Sequence, residues 1–86
     1  MKHQYHERLK TFIQKEITET ATELALTNEE VSVLLGVSSR NYSNIKSGKY
    51  SCSAETLSSF IVNMCTDKNK FLERLTEAVK EAENDL

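Results

Sequence analysis

Two glycines and no proline punctuate this chain, and every helix stop that needs a left-handed residue has to be built from that short supply. Gly36 and Gly48 are the two. Glycine reaches positive φ without steric penalty, so it ends a helix at low cost. Gly36 follows TNEEVSVLL and precedes VSSRNYSNIKS, two short stretches with helical patterning. The spacing therefore predicts two short helices joined by a tight glycine turn.

The first of these helices has Thr27 or Asn28 as its cap, with Glu29 and Glu30 in its first turn, where the helix dipole favours acids. Val31, Leu34 and Leu35 make its inward face at i, i+3 and i+4. Ser32 is small enough to let a second helix cross closely, and Val37 in the turn is placed to plug between the two. Ser38 caps the second helix, expected from about Ser39 to Ser47, with Tyr42 and Ile45 turned inward. Ser39, Arg40, Ser43, Asn44 and Ser47 then face outward. This is a helix-turn-helix arrangement. An outward face of Arg, Asn and Ser without an acid suits base reading, because Arg pairs bidentately with guanine and Asn with adenine.

At this point the sequence resembles a known family. LTNEEVSVLLGVS is similar to the LTQEELAELLGVS of the lambda-repressor-like DNA-binding domains of Cro and Xre type, and NIKSGKYSCSAETL is similar to their RIERGKRNPSLETL. The likeness covers roughly residues 24–64, about half the chain. It implies an all-α, compact five-helix lambda-repressor-like domain spanning residues 1–86, with the helix-turn-helix proper at 27–47. Carried over by position, it implies base reading by Ser39, Arg40 and Asn44, with Asn41 in support. It implies phosphate contacts at Asn28 and in the Gly48-Lys49-Tyr50 loop, to which Ser43 and Lys46 are added. Four departures stand out. Tyr42 replaces a β-branched residue, Ser32 an alanine and Cys52 a proline. An Arg–Glu pair of the family falls on Ala21 and Lys46, so both partners are absent together and no lone buried charge results.

Net charge is −2, which by itself disfavours a DNA partner, but its distribution does not. Residues 31–54 contain Arg40, Lys46 and Lys49 and no acid, whereas residues 1–30 carry −2 and residues 55–86 carry −3. The basic footprint coincides with the helix-turn-helix. With 38% apolar residues, a chain of 86 can build one small core. No apolar segment suggests a secretory signal or a membrane span, and Cys52 and Cys65 read as reduced thiols, so a cytoplasmic location is expected. His3 and His6 could share a helix face, but no further ligands lie near them and the cysteines lack paired spacing, so no metal is expected. The absence of a glycine-rich phosphate loop or of a Ser-His or Cys-His pairing argues against an enzyme, and no cofactor is expected.

Tyr5, Leu9, Phe12, Ile13, Ile17, Ala21 and Leu24 predict one long first helix, with a bend allowed at the Thr18–Thr20–Thr22 cluster. Ala25 stands where the related domains carry Gly, so a tight or strained turn is expected there. Ser53 caps a fourth helix, Ala54 to about Met64, with Leu57, Phe60, Ile61 and Met64 inward. Thr66-Asp67 cap a C-terminal amphipathic helix of about residues 68–84. Its stripe of Phe71, Leu72, Leu75 and Val79 is either core or a dimer interface. If it is an interface, Leu75→Glu should produce monomers.

Three functions follow as expectations. The first is a sequence-specific transcriptional regulator, a repressor that binds an inverted-repeat operator in double-stranded DNA as a homodimer. The second is an antitoxin of the same fold, which binds its own promoter and a toxin. The third is a module that pairs with a repressor and does not bind DNA.

Overall fold

Five helices follow one another in the computed structural model, which describes residues 2–84, with side chains from Tyr5 onward. They are α1 (Lys2–Glu23), α2 (Asn28–Leu35), α3 (Ser39–Lys46), α4 (Ala54–Asn63) and α5 (Lys68–Glu83), and no strand occurs among the described residues. His3 lies outside the residues whose side chains are described, and so does the histidine pairing it would make with His6.

The helix starts follow from local chemistry. Thr27, Ser38, Ser53 and Asp67 each accept a hydrogen bond from the backbone N–H three residues on, at 3.0–3.1 Å. Each satisfies one of the donors that a helix N-terminus leaves open. The choice between Thr27 and Asn28 falls on Thr27, because Glu30 completes a reciprocal capping box by accepting from the Thr27 N–H at 2.9 Å. That backbone bond, helped by the Thr27 hydroxyl, holds the Glu30 carboxyl below its usual value.

Three helix stops share one geometry. Ala25, Gly36 and Gly48 have φ of 56°, 72° and 81°. The N–H of the next residue reaches back five positions in each case: Leu26 to the Ala21 carbonyl at 2.9 Å, Val37 to Ser32 at 3.0 Å, Lys49 to Asn44 at 2.9 Å. This is the closing bond of a Schellman stop. The chain thus uses three left-handed stops with two glycines, and Ala25 takes the third, at a steric cost of about 1–2 kcal/mol.

The long first helix runs unbroken through its threonines. Thr18 and Thr22 hydroxyls donate back to the carbonyls of Gln14 and Thr18 within the helix, each at 3.0 Å. The core joins Ile17 and Ala21 of α1, Val31 and Leu35 of α2, Tyr42 of α3, Phe60 of α4, Met64 just beyond it and Phe71 of α5. Phe71 lies edge-on to Phe60 at 5.4 Å and stacks with Phe12 at 6.2 Å. Helix α5 packs on α1, α2 packs on α3 and α4, and α3 also touches α1. A bidentate Arg74–Glu16 pair, at 3.0 and 2.7 Å, ties α5 to α1 across 58 positions.

This packing divides the α5 stripe between core and surface. Phe71 is completely buried inside its own chain and is not available to a partner. Leu75 packs against the same core, Val79 is half-buried, and Leu72 alone of the four stands exposed, at 47%. The stripe divides because Phe71, Leu75, Ala78 and Ala82 lie on one face of α5, while Leu72 lies a residue round from it. Leu24, expected inside, is also exposed, just past the last turn of α1 before the Ala25 stop.

Candidate nucleic-acid interface

Helix α3 presents two opposite faces. Tyr42 and Ile45 are buried, and Ser39, Arg40, Asn41, Ser43 and Lys46 are exposed. A spacing of three between the two buried residues leaves the intervening positions to solvent. Asn44 departs from the expectation of a fully outward side chain and is half-buried. Tyr42 is 1% exposed, burial pushes its hydroxyl pKa up, and that hydroxyl meets no hydrogen-bond partner among the described residues.

The two ends of α3 are held differently. At its start, the Ser32 hydroxyl donates to the Glu29 carbonyl at 2.7 Å and lies 3.5 Å from the Ser39 hydroxyl. The buried Ser32 therefore brings α2 and α3 close, where a larger side chain would wedge them apart. At its end, the Asn44 carbonyl receives the N–H groups of both Lys49 and Tyr50, at 2.9 and 3.2 Å. The Gly48-Lys49-Tyr50 loop is in this way fastened to the helix. Lys49 Nζ lies 5.7 Å from the centre of the exposed Tyr50 ring.

Two of the residues assigned to phosphate from the sequence meet in space. Lys46 Nζ donates to Asn28 Oδ1 at 3.2 Å, which sets the end of α3 beside the start of α2. A cation therefore sits beside the start of α2, whose first turn carries Glu29 and the capping Glu30. Gln14 on α1 was not legible as part of this region. Its side-chain amide donates to the Lys46 carbonyl across 32 positions. No periodicity or local motif marks such a bond, because it is made to backbone.

No protein-family model, no curated protein and no solved structure matches this chain. One surface gathers Ser39, Arg40, Asn41, Ser43 and Asn44 on one helix, with Lys46, Lys49 and Asn28 at its margins. Chemically it offers a guanidinium, carboxamides and hydroxyls along the middle, and ammonium groups at the edge. Elsewhere the described residues bring no three potential metal ligands together, and no helix is long and apolar enough to cross a membrane. Cys52 and Cys65 are free, half-buried thiols whose pKa values burial pushes up.

Proposed function

We propose that this chain is a lambda-repressor-like, sequence-specific DNA-binding regulator, a repressor acting as a homodimer on an inverted repeat. The observation that carries the reading is the exposed, acid-free face of α3, backed by a buried Tyr42 and Ile45 that make the helix a fixed part of the core. Arg40 and Asn44 read base edges, with Ser39 and Asn41 in support, as their donor and acceptor patterns suit guanine and adenine. Lys46, Lys49, Asn28, Ser43 and Tyr50 hold phosphates and set the register. In a symmetric dimer two such helices enter successive major grooves about 34–36 Å apart. Leu72, the exposed apolar side chain of α5, is the part of the original stripe left to contribute to a dimer contact.

The test is selection from random double-stranded DNA at near-physiological salt, with wild type and Arg40→Ala in parallel. The reading expects an enriched inverted repeat whose preference at a guanine position is lost in the variant. Folded protein that enriches no sequence would overturn it. The module that pairs with a protein partner and does not bind DNA would then come forward. What favours it is the apolar surface at Val33, 77% exposed on α2, which DNA contact does not use.

A further inference from the structure

We propose that Gln14 is a positioning residue for DNA binding, acting through the Gly48-Lys49-Tyr50 loop. The inference rests on the DNA-binding reading above. Gln14 lies on α1, away from the motif in sequence, and three observations converge on it. Its amide nitrogen donates to the carbonyl of Lys46, the last residue of α3. Its amide oxygen lies against Gly48, where an added Cβ would come within 3.3 Å of it. Gly48, at φ 81°, is the left-handed residue from which the chain turns back to bond Lys49 and Tyr50 to the Asn44 carbonyl.

Two consequences follow from this contact. The last carbonyls of a helix carry the negative end of its dipole and repel an approaching phosphate. Gln14 donates to one of them and so reduces the negative potential beside Lys46 and Lys49. The same side chain covers Gly48 and fixes the direction in which the loop leaves the helix. The backbone of Lys49 is thereby fixed against the end of α3, with less of its freedom left to lose on binding. Gln14 need not touch DNA to do either.

The test uses the full chain and the enriched DNA site, measuring affinity by fluorescence anisotropy over a range of salt. The proteins are wild type, Gln14→Met, Lys49→Ala and the double variant, with Gln14→Glu as a second probe of position 14. Methionine keeps the length of the side chain and removes the donor. Thermal melts establish that each protein is folded at the temperature of the assay. Gln14→Met should weaken binding about tenfold and flatten the log–log salt slope by about 2 per dimer, the loss of one phosphate contact per half-site. The base preference set by Arg40 should not change. In the Lys49→Ala background the same substitution should have almost no effect, since the two residues act as a unit. Gln14→Glu, which turns an acceptor and a charge toward the carbonyl, should bind more weakly than Gln14→Met. Additive effects of Gln14→Met and Lys49→Ala, or wild-type affinity and slope in Gln14→Met, would overturn the proposal and leave the DNA-binding reading intact. A wild type that selects no DNA would overturn both.

Discussion

Lys46 Nζ and Asn28 Oδ1 are 3.2 Å apart, so the last residue of α3 and the first of α2 form one polar group. The two are 18 positions apart, and the Gly36 turn brings them together. Asn28 fixes the lysine head at the edge of the exposed α3 face. Lys46→Ala should therefore weaken DNA binding to a similar degree for specific and unrelated sequences. The salt slope, about −5 for roughly six basic contacts per dimer, should fall in magnitude by about 2. Asn28→Ala should do less alone and little more in the Lys46→Ala background. Anisotropy titrations at several salt concentrations check this, and a slope unchanged in Lys46→Ala would remove that residue from the phosphate set.

Ala25 does the work of a glycine. At φ 56° its Cβ crowds the backbone, yet Leu26 still reaches back to Ala21. Ala25→Gly should relieve that strain. The gain is offset in part by the added freedom of the unfolded chain, leaving a net stabilisation of about 0.5–1 kcal/mol. Urea denaturation would show it as a higher midpoint. A lower midpoint would mean that the methyl group makes packing contacts worth more than the strain.

The Tyr42 hydroxyl is buried without a hydrogen-bond partner among the described residues. A buried unpaired polar group costs about 1–3 kcal/mol relative to a satisfied one. Tyr42→Phe removes the group and keeps the ring, so stability should rise by about 1 kcal/mol with DNA affinity unchanged. Calorimetric melts decide the first and a binding titration the second. A drop in stability would show that the hydroxyl is hydrogen-bonded in solution.

Leu72 and Leu75 are separated by one turn of α5 and should answer differently to a charge. Leu75 packs against the core, so Leu75→Glu should destabilise the monomer by about 3 kcal/mol, through an unpaired buried charge and lost packing. Leu72 is exposed, so Leu72→Glu should leave the melt unchanged and shift a dimer toward monomer by light scattering. A Leu72→Glu protein of wild-type mass would take Leu72 out of the dimer contact.

The Glu30 carboxyl, held below its usual value by the Thr27 N–H, links the α2 cap to pH. A depressed folded-state value means that the ionised form stabilises the fold. That contribution is complete above the usual carboxylate value of 4.5 and is lost as pH falls through the lower folded value. Glu30→Gln keeps the capping geometry and removes the titration. Urea midpoints from pH 6 down to pH 3 should therefore fall less in Glu30→Gln than in wild type. Parallel curves would show that Glu30 is not coupled to the cap.

The chain read alone determined its helices, because the signals for them are local. Hydrophobic period, Thr27, Ser38, Ser53 and Asp67 as caps, and glycines as stops each act within a few residues. The outward face of α3 was legible for the same reason, since burial of Tyr42 and Ile45 follows from their spacing. The three-dimensional packing decided what depends on distance in sequence. It sent Phe71 into the core and left Leu72 outside, because α5 had to choose α1 as the cover for its stripe. It also joined Lys46 to Asn28 and Gln14 to the Lys46 carbonyl. Such bonds carry no sequence period, since any polar side chain of the right length can make them once packing brings the backbones within reach.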